Sequence, residues 1–85
     1  MKLFFCTACH DLVALKPEKR ICSCGLSEGK YVDSLNAIIS GPCIPVGIAN
    51  SSFVAAIQDQ PEEGMGKEFV AFVIPKVCDT IIHEK

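Results

Sequence analysis

Short apolar runs separated by glycine, proline and polar clusters make up most of the chain. Near the N-terminus, "KLFF" and "DLVALK" predict two short strands, with "PEKR" as the turn that follows them. Another strand is predicted around Ala37 to Ser40. The strongest strand signal is "EFVAFVIP", which is apolar on both faces. A strand of this kind needs cover on both sides, from the helix on one side and from a sheet or a second subunit on the other.

One helix is predicted within "ANSSFVAAIQDQP". Its apolar positions Phe53, Ala56 and Ile57 fall on one helical face, and Pro61 ends it. Three consecutive residues supply oxygens that can cap its first turn, namely Asn50, Ser51 and Ser52. Before the helix, "GPCIPVG" carries prolines at positions 42 and 45, which predicts that no central strand runs through it.

The chain contains no stretch near the roughly 18 apolar residues that a membrane-spanning helix requires. The N-terminal "MKLFF" reaches Cys6 before a secretory hydrophobic region could form. We therefore expect a cytoplasmic protein with no membrane segment. Because the cytosol keeps thiols reduced, we do not expect permanent disulfides in it.

Four of the six cysteines form two close pairs in "CTACHDLVALKPEKRICSC". A hairpin between the pairs would bring all four thiols together, as ligands of a metal, as disulfide partners or as a redox couple. A thioredoxin-type redox pair opens a helix after a strand, whereas the first pair here lies in a hairpin turn. The spacing and the expected compartment favour a structural Zn²⁺ bound by Cys6, Cys9, Cys22 and Cys24.

The segments Cys6-Thr7-Ala8-Cys9 and Cys22-Ser23-Cys24-Gly25 resemble the knuckles of zinc-ribbon and rubredoxin-like proteins. The resemblance covers residues 3–25 only. It departs from the usual pattern at the second pair, which encloses one residue instead of two, and at His10, where a glycine often follows the first pair. These departures count more against a rubredoxin-like iron site than against zinc. We expect His10 to be an exposed turn residue because four cysteines already complete the ligand set.

As a whole, the chain looks like the small zinc-knuckle proteins found in bacteria and their phages. That resemblance implies roles such as inhibition of a host protein or sequestration of a small nucleotide signal.

Together these patterns predict an α+β fold, consisting of a zinc-knuckle hairpin, an antiparallel sheet and one short helix. The 85 residues allow a single domain, with the hairpin in 1–29 and the sheet and helix in 30–85. A chain of this length buries only about 60% of its unfolded surface, so a metal is the expected source of additional stability.

Catalysis is not expected from these residues. A four-thiolate metal site is closed and leaves no coordination position for a substrate or an activated water. Cys43 lies in a proline-flanked apolar stretch, and Cys78 and His83 have no evident orienting group. We interpret Cys43 and Cys78 as buried, inert thiols. The sequence therefore predicts that the protein is not an enzyme.

Nucleic-acid binding is also not expected. The net charge is −2, whereas affinity for nucleic acid depends on clustered lysine and arginine side chains that neutralise phosphates. The one local basic cluster, Lys16, Lys19 and Arg20, is interrupted by Glu18 and suits a solvated hairpin turn.

The segment "SGPCIPVGIANSSF" is the candidate for binding a small anionic ligand. Gly41 and Gly47 permit close approach of backbone, and Asn50, Ser51 and Ser52 stand at a helix start that favours a carboxylate or phosphate. Turns and helix caps in many small folds have the same composition, so a purely structural role for these residues remains the alternative.

With 49% hydrophobic residues, the chain has more apolar surface than a zinc hairpin and one short helix can cover. We therefore expect a homo-oligomer, most simply a dimer, unless "CDTIIHEK" folds back and completes the cover. The function that follows is zinc-stabilised, non-enzymatic binding through protein–protein or self-association, as an inhibitor or adaptor. The alternative is a protein that binds or sequesters a small anionic, nucleotide-like signal.

Overall fold

The computed structural model describes residues 1–84, whose strands form two four-stranded sheets facing each other. The first sheet has the order β2-β1-β6-β7 and is antiparallel throughout; its strands are β1 (Lys2–Cys6), β2 (Leu12–Ala14), β6 (Cys43–Ile48) and β7 (Ala71–Val73). The second has the order β3-β4-β5-β8; its strands are β3 (Arg20–Ile21), β4 (Glu28–Tyr31), β5 (Ala37–Ser40) and β8 (Ile81–Glu84). The helix α1 spans Asn50–Gln58 and lies between β6 and β7 in the chain. Strands from residues 1–29 and from residues 30–84 share both sheets.

The core lies between the two sheets. Because side chains alternate along a strand, Phe4 and Cys6 of β1 point inward while their neighbours point outward. Phe4 meets Ile39 and Ala37, which β5 contributes from the other sheet to the same buried cluster. Phe4 and Ile39 are completely buried, and each contributes about 1.5 to 3 kcal/mol relative to an exposed side chain.

The two sheets are joined on one side of the molecule and separate on the other. Where β2 leaves the first sheet, the Tyr31 N–H donates to the Lys16 carbonyl oxygen over 2.8 Å and links the sheets. On the opposite side, β7 and β8 border an apolar cleft of about 520 Å³, with Ile74 and Ile81 in its walls. This open side leaves β7 at the edge of the first sheet.

The expected α+β class is wrong, because the described structure is mostly β. The strands predicted in "KLFF", in "DLVALK" and around residues 37–40 are confirmed as β1, β2 and β5. The error concerns the number and arrangement of sheets. The chain builds two sheets, and β8 pairs with β5 in parallel, so the expectation of one antiparallel sheet fails.

The expectation that the prolines exclude a strand in "GPCIPVG" is also wrong. Pro45 lies within β6, which is central in the first sheet. The Pro45 carbonyl accepts a hydrogen bond from the Ile74 N–H over 2.9 Å. Since the N–H and C=O of one residue point to the same neighbouring strand, the N–H that Pro45 lacks would also point toward Ile74. The strand β7 ends at Val73, before it reaches that position. Proline therefore interrupts no ladder hydrogen bond between β6 and β7.

Within one chain, the apolar segment "EFVAFVIP" is not covered on both sides; cover by a second subunit stays a prediction. Only Ala71–Val73 forms a strand, at the edge of the sheet, and all three residues are exposed. The helix contacts only the start of the segment, through Phe53 and Phe69. At the other end, Ile74 is buried in the same cluster as Ile81 of β8.

The predicted helix is confirmed, but its capping is not. The N-cap is Ala49, and no side chain makes a capping hydrogen bond. The helix attaches to the rest of the chain through an edge-to-face contact between Phe53 and Phe69, with ring centroids 4.9 Å apart. Among residues 1–84, no helix has the length and apolar character needed to cross a membrane.

The turn between β5 and β6 depends on Gly41. Its φ of +96° lies in a region that side chains disfavour, and a Cβ there would stand 2.1 Å from the Leu26 carbonyl oxygen. Gly64 offers a matched comparison, because its φ is +86° and nothing lies within 4 Å of its added Cβ.

We predict that Gly41→Ala lowers the free energy of unfolding by about 3 kcal/mol or more, since backbone strain adds to a clash with backbone. Gly64→Ala carries the strain alone and should cost about 1 to 2 kcal/mol. Urea denaturation of both variants measures the difference. Equal losses would show that the contact with Leu26 does not constrain the turn.

Candidate metal centre

The first knuckle is a tight turn at the end of β1. The Cys6 N–H donates to the Asp11 carbonyl, and the His10 N–H donates to the Cys6 carbonyl over 2.8 Å. His10 has a φ of +61°, a left-handed conformation that glycine adopts most easily and histidine tolerates better than most residues. Its ring stacks on Phe5 with centroids 5.4 Å apart. His10 is exposed, as predicted, and adopts the conformation for which knuckles often use glycine.

The second knuckle follows β3 and has a similar hydrogen-bond pattern. The Gly25 N–H donates to the Cys22 carbonyl over 3.1 Å, and Gly25 has a φ of +79°. The Cys22 N–H donates to the Ser27 carbonyl, and the Ser27 N–H approaches Cys22 Sγ at 3.4 Å. Gly25 therefore supplies the backbone bend that the sequence predicted for this position.

The two knuckles bring the four predicted cysteines to one point. The sulfur atoms of Cys6, Cys9, Cys22 and Cys24 all lie within 4.8 Å of one another. Cys24 Sγ is 3.7 Å from Cys6 Sγ and 3.5 Å from Cys22 Sγ. A tetrahedral metal with metal–sulfur bonds of about 2.3 Å requires sulfur atoms about 3.8 Å apart. The cluster thus fits a four-thiolate metal ion, and its cysteines are free thiols.

The thiols in the cluster have unequal proton affinities. The pKa of Cys6 is lowered to about 6, mostly by the nearby Ser27 hydroxyl and next by the Cys9 N–H. The Ser27 hydroxyl is buried and makes no hydrogen bond of good geometry within residues 1–84. At Cys24, a backbone hydrogen bond from Leu26 lowers the pKa, but desolvation and the neighbouring thiols together raise it to about 12. Four sulfur atoms this close cannot all ionise without a cation among them. A metal ion bound among the four sulfur atoms would supply that positive charge.

Asp11 supports the cluster and was missed by the sequence analysis. Its Oδ2 accepts hydrogen bonds from the backbone N–H and from the hydroxyl of Ser23, each over 3.0 Å. These bonds tie the chain just after the first knuckle to the middle of the second. No spacing rule connects a lone aspartate to a serine twelve positions later, so the pattern gave no signal for this contact.

The five residues predicted to bind an anionic ligand do not form one cluster. Gly41 lies in the turn before β6 and Gly47 near the far end of that strand, and the four extended steps from Cys43 to Gly47 alone span about 13 Å. Gly47 is covered by the Phe72 ring, and a Cβ there would meet that ring at 2.6 Å. Both glycines therefore have structural roles. Ligand binding at this segment stays a prediction.

The polar side chains at the helix start make hydrogen bonds within the chain. Asn50 Oδ1 accepts from the N-terminal amine of Met1 over 2.7 Å. The Ser52 hydroxyl donates to the Ala49 carbonyl and accepts from the Val70 N–H, each over 2.9 Å. Ser51 is exposed in the first turn of α1. Two of the three predicted ligand side chains are thus already engaged in joining the helix to its neighbours.

The remaining two cysteines lie outside the metal cluster. Cys43 is buried, as predicted, and burial raises the pKa of its thiol. His83 Nε2 is 3.9 Å from Cys43 Sγ and 2.9 Å from the Gly41 carbonyl oxygen. Because a carbonyl only accepts, Nε2 carries the proton and is not a base for the thiol. Cys78 is half-buried, so the expectation of a buried thiol is correct for Cys43 alone.

Comparison with known proteins gives no match, since no family model, no curated protein and no solved structure is significantly similar to the chain. The assignment of the site therefore depends on its own geometry.

We predict that Cys9→Ser or Cys22→Ser abolishes stoichiometric metal binding and unfolds the chain, because a structural metal contributes its binding free energy to folding. Metal content by mass spectrometry and secondary structure by circular dichroism measure the two effects.

Cys78→Ser is the matched control, since Cys78 lies outside the cluster; Cys43→Ser should also leave metal content unchanged. A folded Cys22→Ser variant with a full complement of metal would exclude the four-thiolate site.

Proposed function

We propose that this chain is a non-enzymatic binding protein, stabilised by zinc, that acts through protein–protein or self-association. The observation that supports this most strongly is the face of the first sheet that is turned away from the second sheet, here called the outer face. Cross-strand pairing sets Leu3 between Ala14 and Val46, and Val46 beside Val73. Every strand residue on this face is apolar: Leu3, Phe5, Leu12, Ala14, Ile44, Val46, Ile48, Ala71 and Val73.

Part of the outer face is open to solvent. The exposed fraction is 52% for Leu12, 41% for Ile44 and 69% for Val73, whereas Leu3 near the middle of the face is 7% exposed. The comparable face of the second sheet carries Glu28 and Lys30, so it suits contact with water.

The size of the outer face is also significant. Four strands spaced about 4.8 Å apart and three to six residues long give a planar area of about 280 Å². This area is close to the lower end of the range for the largest uninterrupted apolar patches on a typical monomer, about 300 to 600 Å², which commonly mark binding sites. The outer face therefore favours association as the function.

Zinc is the metal we propose for the cluster, with a structural role. Four thiolates in tetrahedral spacing suit Zn²⁺ and complete its coordination, so no position is left for a substrate. Cys6 is the last residue of β1 and pairs with Cys43 at the start of β6. The metal thus fixes one end of the two central strands that carry the outer face.

Binding of a small anion at the start of α1 is less favoured as a function. The side-chain oxygens of Asn50 and Ser52 are engaged within the chain, as described above. An anion would have to displace these contacts before it could bind.

We predict that a photocrosslinking amino acid at position 44, on the outer face, captures a partner when living cells producing the protein are irradiated. The same amino acid at position 82 is the matched control, because Ile82 is 57% exposed on the outside of the second sheet. A product of twice the chain mass would identify self-association, and any other discrete product a different protein.

No product from position 44, or equal products from both positions, would contradict binding through the outer face. Retention of metal and circular dichroism in both variants establishes that they are folded.

A further inference from the structure

We propose that two copies of the chain pair edge to edge through β7, antiparallel and centred on Phe72. This inference rests on the proposed function, because it names a second copy as one partner. Two four-stranded sheets would then form a single continuous sheet.

The free edge of β7 presents unpaired backbone groups. The Ile74 N–H donates to the Pro45 carbonyl, and the Ala49 N–H donates to the Val70 carbonyl, each over 2.9 Å. Residues 70, 72 and 74 therefore direct their backbone groups toward β6. Since this direction alternates along a strand, Ala71 and Val73 direct their N–H and C=O groups outward. Both residues are exposed, so the edge is accessible.

The edge of β7 lacks most of the features that usually prevent strands from pairing. Natural edge strands are protected by short length, charged residues, prolines, bulges or covering segments. The strand β7 is short, with three residues, but Ala71–Val73 has neither charge nor proline, and the first proline after it is Pro75. By contrast, β8 carries His83 and Glu84, and the Lys16 carbonyl at the end of β2 is bonded to Tyr31.

Charge complementarity specifies the register. A two-fold axis through Phe72 sets Ala71 opposite Val73 of the second copy, so the outward groups of both residues pair. The same axis sets Glu68 opposite Lys76 of the second copy, twice by symmetry. Moving the axis to residue 71 or 73 preserves strand pairing but separates these charges. In the register centred on Phe72, Lys76 lies in the bend that follows the strand, and Pro75 contributes no N–H opposite Phe69. Of the three registers, this one pairs the outward groups of β7 and also brings these charges together.

Phe72 is suited to the position on the axis. Its ring covers Gly47 on the adjacent strand, yet 50% of the residue is exposed at the open side of the molecule. In the paired sheet, the two Phe72 side chains would be direct cross-strand neighbours on the same face. Aromatic pairs in that arrangement stabilise antiparallel strands.

Pairing through β7 also enlarges the outer face. Ala71 and Val73 point their side chains onto this face, so it would continue across the junction into the second copy. Its width would grow from about 19 Å to about 38 Å, at about 4.8 Å per strand. The dimer would thus present a larger apolar surface than one chain.

Sedimentation velocity from micromolar to millimolar concentration tests the pairing. We expect the native chain to dimerise and Val73→Pro to remain a monomer, because proline removes an outward N–H that the chain itself does not use. Ala14→Pro is the matched control. The backbone groups of Asp11 and Leu15 bond to β1, so by alternation the Ala14 N–H points away from β1. Ala14→Pro therefore removes an outward N–H at the other edge of the sheet and should still dimerise.

Charge reversal tests the register. Glu68→Lys or Lys76→Glu places like charges opposite each other at both symmetric positions and should weaken dimerisation roughly tenfold, given the modest strength of exposed ion pairs. The double variant Glu68→Lys with Lys76→Glu restores opposite charges and should recover most of the affinity. A purely local role for either residue would give no such recovery.

Three results would overturn the inference: a native chain that is monomeric at millimolar concentration, a dimer that survives Val73→Pro, or no recovery in the double variant. If the dimer survives Val73→Pro but is lost in Ile44→Glu, association uses the outer face, and the proposed function stands without edge pairing. If the chain is a monomer but still crosslinks to another protein from position 44, the proposed function also stands and edge pairing fails.

Discussion

The convergence of four cysteine sulfur atoms between two knuckles is the constraint on which the rest of the structure depends. It joins the end of β1 in the first sheet to the loop after β3 in the second, while the bond between Lys16 and Tyr31 connects the sheets at the opposite end of β1, beside Lys2. A small core centred on Phe4 and Ile39 fills the space between the sheets. Such a core alone gives marginal stability in a chain of 85 residues, so a metal bound by the four cysteines would have a large effect on folding.

The apolar surface lies away from the core that the two sheets share. The cleft bordered by β7 and β8 begins beside the cysteine cluster, since Cys43 lines it and pairs with Cys6. The short helix packs against Phe69, and Ile44 on the outer face is exposed. A bound metal would let the fold stand with less apolar burial within the chain, which leaves exposed apolar residues available for association.

Those parts of the structure that depend on local sequence were predictable. The cysteine spacing predicted the cluster, and Gly25 predicted the second bend, because both depend on residues close together in the chain. The central strand through Pro45 was not predictable, since it depends on where β7 ends, some 28 residues later. "EFVAFVIP" gave a misleading signal for a related reason. Its apolar composition indicates burial but does not distinguish burial within one chain from burial against a second one.

Amide hydrogen exchange with and without metal tests most directly whether zinc holds the two sheets together. In the zinc-loaded protein, the amides of β1 and β5, which carry Phe4 and Ile39, should exchange slowly. After removal of zinc by a chelator, amides in both strands should lose their protection together, and it should return when zinc is restored. Protection that persists in both strands of the metal-free chain would show that the core alone maintains the fold, and would contradict a structural role for the cluster.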